Sequence, residues 1–489
     1  MLNPKDAWSP LPIDRWDAAH ARHLLRRTGF AATPDAVGDA LKRGLFDTVR
    51  YYMGSRRPFR QPTSLDGLPA MSMAMQREMR QLSEEERRAR QQELQRLQRE
   101  VFADFALAWL HFARQTDQSV QEKLVLFLQN IFVVAYARVR DPAQLFDHQS
   151  VLRDGINLPY PDLCKAVTRS PAMIQYLDLQ SSRREAPNEN YARELFELFT
   201  LGEGHYTEQD IKEAARAFTG IRIREGAYFF DRRAHDDSPK TIFGRTGRWG
   251  PDDVIDLVFE QPAANRHLPR EFIKAYMHED GIDETYITAL GNLWQQRRRQ
   301  VGALAELVFT SRLFYEPAYQ ANLIKSPIHF YLGLCQDLNV AVTPFPGPAL
   351  IALRGMGQDF FNPPNVRGWV GGKMWINAAT LASRRQVVQT LFNPSPRRNL
   401  NADDQQRLEQ HEASGQGPWY VDNTRLAQPA RWNHLKITQH FCAYFLPGEV
   451  STPFHTAILH HLHENRAEPE AALRDVMVAL LQSPQYHLS

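Results

Sequence analysis

Apolar residues recur every three or four positions along most of this chain, a period that only an α-helix turns into a continuous buried stripe. In "DAAHARHLLRRTGF" the stripe is Ala18, Ala21, Leu24 and Leu25, and Gly29 is placed to stop it. Leu94, Leu97, Val101, Phe105 and Ala108 repeat the pattern behind a polar run over 71–100, in which Ser83 and Glu86 have capping-box spacing. Further helices are expected at 121–138, 161–178, 189–201, 251–260, 270–277, 285–315 and 319–338, and helices close the chain. The expected fold is all-α: one large multi-helix domain over 1–489. Departures from the helical period are few. "GIRIREGAYFF" alternates about Gly226 and predicts a small β-hairpin insertion within 220–245. "DRRAHDDSPKTIFGRTGRWG" reads as a polar loop, "FNPPNVRGWVGGKMWIN" must be irregular, and 393–425 is expected to be a mobile surface excursion.

Composition removes several function classes. The 58 basic and 56 acidic residues leave a formal charge of +2, which gives no electrostatic footprint for nucleic acid or an anionic membrane. Cys164, Cys335 and Cys442 sit in apolar settings at spacings that match neither zinc nor redox motifs, so they are expected to be buried and inert. The apolar run 124–137 is interrupted by Gln129 and Asn130 and is too short to span a bilayer. No basic region followed by an apolar run opens the chain, so the expectation is a cytoplasmic protein with no membrane span.

The densest stretch is "PNENYARELFELFTLGEGHYTEQDIKEAARAFTG". Much of it is punctuation and core: Gly202 and Gly204 fit a helix stop, Thr207 with Asp210 fits a helix start, and Tyr191, Leu195, Leu198 and Phe199 form the apolar side. What remains is a polar stripe, Asn190, Arg193, Glu194 and Glu197, on one helix face. Two carboxylates one turn apart beside an arginine and an amide can supply an acid or base with an oriented partner, or oxygen ligands for a divalent metal. Alternatively they form a solvated or salt-bridged face.

This stretch resembles the hallmark of the bacterial family known as "domain of unknown function 1800". The resemblance continues in "HLLRRTGF", "EKLVLFLQNIF", "SPAMIQYLD", "HDDSPKTIFG", "PPNVRGW", "WIN" and "LLQSPQYHLS", so it covers nearly the whole chain from about residue 16. It implies a mostly helical protein of unestablished activity, often encoded beside a sulfatase-like partner, with relatives that are often exported. One departure stands out. Where relatives commonly read Trp-His-Asn-His, this chain has Leu128, Gln129, Asn130 and Ile131, so core packing rather than metal binding is expected of that helix.

Two loops add candidates. His235 and Asp236 are possible metal ligands, and Lys240 before Gly244 and Gly247 is a possible anion clamp. Around "PPNVRGWVGGKMWIN", Trp369 and Trp375 with Asn365 and Arg367 suit the faces and rims of sugar rings, unless the indoles simply plug the loop into the core. A basic face of His20, His23, Arg26 and Arg27 is expected to pair with acids. The leading functional reading is a hydrolase or lyase acting on carbohydrate or another polar polymer. In it Glu194 and Glu197 act as acid/base or ligand carboxylates, Arg193 and Lys240 as clamps and Trp369 as a stacking platform, gathered in one cleft with the His235 loop. The alternatives are a non-catalytic helical scaffold or partner subunit, and a phosphoryl or sulfuryl transferase.

Overall fold

Several helices begin in this molecule where a side chain supplies a cap. Ser83 and Glu86 form a reciprocal capping box at the head of Glu84–Ala113, and Thr207 with Asp210 does the same for Glu208–Ala217. Asp17, Thr33, Asp141 and Asn377 each accept from a backbone N–H in the first turn of the helix that follows. The computed structural model describes residues 2–54, 57–66, 68, 79–422, 426, 428–448 and 450–489. Parts of the 71–100 run and of the 393–425 segment, namely 71–78 and 423–425, lie outside the described residues. Within the latter segment Ala402–Ala413 is a helix whose Arg407 pairs with Asp104 at 3.1 Å.

The chain is mostly helical, and its buried apolar residues form one main cluster running from Ala7 to Tyr486. Several expected long helices are divided. The 121–138 segment is Ser119–Ile131 and Tyr136–Val139, and 161–178 is Tyr160–Thr168 and Pro171–Tyr176. The 285–315 segment breaks between Glu284–Gln296 and Val301–Phe309, because Arg298 and Arg299 adopt left-handed backbone angles (φ 56° and 54°). The helix expected over 319–338 starts only at Pro327, capped by Ser326. The expected hairpin is present as Ile221–Arg224 against Ala227–Phe230, in register Ile221 with Phe230. The supposed polar loop after it contains a second hairpin, Lys240–Ile242 with Arg245–Gly247, turned by Phe243 and Gly244. Three-residue strands are too short for an alternation to be visible in sequence.

Two buried polar devices hold the helices together. Glu122, 1% exposed, accepts both prongs of Arg153 and the Trp109 indole N–H, each at 2.7 Å. On the basic face of the helix Ala18–Thr28, His20 pairs with Asp17 at 2.9 Å, as expected, whereas His23 and the two arginines meet carbonyls. Arg26 donates to the carbonyls of Tyr444 and Leu446 at the end of His434–Phe445. Arg27 donates to those of Tyr276 and Met277 at the end of Ala264–Tyr276. Lys123 in turn caps the Arg26, Arg27 and Gly29 carbonyls. Helix C-termini leave carbonyls without intrahelical donors, and these buried N–H groups supply them at three helix ends at once. The three cysteines are buried, and burial pushes the Cys335 and Cys442 thiols up to about 12 and about 11. Among the described residues no helix is long and apolar enough to cross a membrane.

Candidate functional site

The motif helix begins at Asn190 and widens into a π-helix over Leu195–Thr200. A π-turn leaves carbonyls without their usual intrahelical donors, and side chains from elsewhere supply them: His267 Nε2 meets the Leu198 carbonyl at 2.7 Å, and the Tyr160 hydroxyl donates to Phe199 at 2.7 Å. The wide turn is therefore clamped from the core side, and its outer edge carries Glu197.

Glu197 is 17% exposed and has two partners. One oxygen pairs with Arg367, and the other accepts from the Tyr206 hydroxyl at 3.1 Å. Arg367, more than half exposed, also bonds Glu203 at 2.9 Å. This arginine comes from the irregular 361–377 segment, which is seated by Asn130. The Asn130 Oδ1 accepts from the Trp369 N–H at 2.8 Å, and its Nδ2 donates back to the Trp369 carbonyl. Gly368 makes that approach possible: at φ 78°, a Cβ there would stand 2.3 Å from Asn130 Oδ1. Leu128 and Ile131 of the same helix are buried in the core, as the sequence departure implied.

One turn before Glu197, Glu194 is half-buried and has no hydrogen-bond or ion-pair partner among the described residues. Burial raises its carboxyl above the ordinary range, and the neighbouring Glu197 raises it further, against the opposing pull of Arg367 and Arg193. Partial burial raises the Tyr176 phenol, against the pull of nearby Arg138, and Glu194 is close enough to raise it further. Tyr176, Tyr206 and Glu203 were not among the candidates read from sequence. Tyr206 and Glu203 stand inside the central motif, and Tyr176 in "SPAMIQYLD", where each passes for core or turn.

The other candidates are placed differently. Arg193 is taken up by Glu208 at 2.8 Å through both prongs and by Glu189 at 3.3 Å, and these bonds raise its guanidinium above the usual range. Asn190 is exposed, its N–H bonded to Asn188 Oδ1 at 3.0 Å, and Asn365 turns its own loop by accepting from the Arg367 N–H at 2.9 Å. The Trp369 and Trp375 side chains are each 8% exposed and anchor the loop, so they are not stacking platforms. Lys240 is 1% exposed and donates to the Asp236 and Ser238 carbonyls, so it is not an anion clamp.

The His235 loop belongs to another network. Asp236 pairs with Arg216 at 2.8 Å and accepts from Ser238; burial pushes its carboxyl up, but these bonds carry it well below the usual range. His235 Nδ1 meets the Thr219 carbonyl at 2.9 Å, and Arg184 bonds the His235 carbonyl. Arg193 is tied to the start of Glu208–Ala217 and Asp236 to its last turn, two points about 12 Å apart on an α-helix. The Trp369 loop thus joins the acidic stripe through Arg367, while among the described residues no hydrogen bond or ion pair joins the His235 loop to that stripe. Among the described residues no three His, Cys, Asp or Glu side chains gather as a metal site requires.

Residues 23–488 match the model of a family described as a protein of unknown function (DUF1800). No curated protein and no solved structure matches the chain.

Proposed function

The chain belongs to the DUF1800 family, whose description names no activity, and from that premise we propose acid–base chemistry of the hydrolase or lyase type on a polar polymer, with Glu194 as the proton-transferring group. The observation that carries this reading is the unequal treatment of two carboxyls one helical turn apart. Glu197 has its charge matched by Arg367 and a hydroxyl bond from Tyr206, while Glu194 has neither and is raised. Environments that push paired carboxyls apart separate the acid from its charged companion. In this scheme the protonated Glu194 donates to a leaving oxygen, solvent water adds to the carbon that the oxygen leaves, and the proton that this water releases restores the Glu194 acid. Glu197, bonded by Arg367 and Tyr206, lies beside the developing positive centre, and Arg367 is the group a passing anionic or hydroxyl-bearing chain meets first.

The surface around the pair is open, with Arg367 more than half exposed, which suits an extended chain better than an enclosed small molecule. Carbohydrate remains the polymer class proposed, now on the strength of the carboxyl pair alone, since the indoles are buried. The test compares wild type with Glu194→Gln on a panel of neutral and acidic polysaccharides, with and without divalent metals, scored by new reducing or unsaturated ends. Turnover by wild type that falls a hundredfold or more in the variant supports the reading. Wild type and variant behaving alike on every polymer overturns it.

A second reading, a non-catalytic scaffold or a partner subunit of a sulfatase-like protein, is favoured by one specific observation: Arg193, at the centre of the stripe, is saturated by Glu189 and Glu208. Co-purification with a sulfatase-like protein that is lost in Arg193→Ala, with no turnover on any polymer, selects it.

A further inference from the structure

Arg384 is completely buried on the helix Ala378–Phe392. One prong, Nη2, donates to the Lys325 carbonyl at 2.8 Å, while Nε and Nη1 have no hydrogen-bond partner among the described residues. Its guanidinium lies 4.9 Å from the centroid of Phe330. The His487 ring lies 5.2 Å from the same Phe330, and its Nδ1 is likewise unpartnered. Lys325, also buried, places its ammonium 3.7 Å from the centroid of Tyr486.

Charge does not balance here. The buried acid of this region is Asp337, which accepts from the Tyr486 hydroxyl at 2.8 Å and acts on Lys325 and Arg26. Arg26 and Arg27 are compensated by helix C-termini, and Arg27 also bonds the Ser489 main-chain oxygen. Among the described residues neither an acid nor a helix end meets the remaining donors of Arg384. Burial alone drags its guanidinium down to about 10, and His487 is pressed down to about 3 by burial and then by Arg384 and Lys325. A buried cation without a counter-charge is strongly unfavourable, and a water molecule satisfies its N–H groups without supplying the missing charge.

We propose that Arg384, Lys325 and His487 hold a buried halide ion, chloride in ordinary buffers, beside Phe330 and Tyr486. A halide accepts several N–H donors without directional demands and takes less room than a tetrahedral oxyanion, which suits a packed interior. The site stabilises the junction between the helix Ala378–Phe392 and the segment ending in Tyr486 and His487, and it is independent of Glu194.

The test uses the full chain. Thermal unfolding is followed in sodium bromide, chloride and gluconate at matched ionic strength, and crystals soaked in bromide are measured at its absorption edge. The expected results are a saturable, halide-specific rise in the unfolding midpoint and an anomalous peak within hydrogen-bond reach of Arg384. Arg384→Met is expected to raise the half-saturating bromide concentration tenfold or more. Equal midpoints in all three salts, or bromide-soaked crystals with no anomalous peak at Arg384, would overturn the proposal. Should Arg384→Met fail to fold, the wild-type bromide map decides.

Discussion

Replacing Glu194 with glutamine is expected to make the protein more stable at neutral pH, the opposite of most substitutions at a partly buried polar position. Glu194 and Glu197 lie one turn apart, and like charges at that spacing cost about 0.2–0.5 kcal/mol on an exposed helix. Half-burial without a partner adds to that cost, and the nearby Arg367 and Arg193 subtract from it. The expected gain on removing the charge is therefore about 0.5–1 kcal/mol. The sign of the pH dependence follows from the raised carboxyl. The folded state holds the Glu194 proton more tightly than the unfolded chain does. Stability therefore falls as pH rises from the ordinary glutamate range through the raised value. The advantage of glutamine is thus present at pH 7 and disappears by about pH 3, below the ordinary glutamate range, where both states of the wild type approach full protonation. Urea unfolding at the two pH values, compared by linear extrapolation, measures it. A loss of stability at pH 7, or the same change at both pH values, would show that Glu194 is an ordinary surface glutamate and remove the basis for assigning it the acid.

Three further outcomes follow from the packing. Glu122→Ala strands the Arg153 guanidinium and the Trp109 indole in the interior and is expected to cost about 3–5 kcal/mol in urea unfolding; a cost under about 1 kcal/mol would mean the trio is not closed as described. Gly368→Ala combines a disfavoured φ of 78° with a clash against Asn130, and is expected to cost about 1–3 kcal/mol and to speed hydrogen exchange at the Trp369 amide. Unchanged exchange would show that the loop is not seated by Asn130. Lys240→Met leaves the Asp236 and Ser238 carbonyls without their donor and is expected to lower stability by about 1–3 kcal/mol without altering any response to phosphate or sulfate. A phosphate response abolished by this substitution would restore the clamp reading.

The helical class, the capping box at Ser83, the helix start at Thr207 and the first hairpin were all legible in the sequence, because period, cap chemistry and a turn glycine are local signals. The break at Arg298 and Arg299 was not, since arginine carries no mark of left-handed backbone; the Gln300 carbonyl that accepts the Trp294 indole N–H at 2.7 Å lies far outside a propensity argument. The site was half legible. The polar stripe could be found as a residue left over after caps and core, and Arg367 and Glu197 do meet. Lys240, Trp369 and Trp375 misled because residue type says what a side chain can bind, not whether it faces water: lysine was recruited by two carbonyls, and the indoles were used as anchors. His235 was drawn into the wrong group because a helix of ten residues separates two surfaces that are close in sequence. The Arg26 and Arg27 pair found carbonyls instead of acids, and helix ends carry no signature that a distant arginine could be matched to.

The account stands on the carboxyl of Glu194 differing in kind from its neighbours. Carbon-13 NMR titration of the glutamate side chains, with Glu194 assigned by its loss in Glu194→Gln, measures that difference directly. A midpoint above the ordinary glutamate range, moving further up in Arg367→Ala as the opposing cation is removed, is the predicted result. A midpoint within or below that range, insensitive to Arg367, would contradict it.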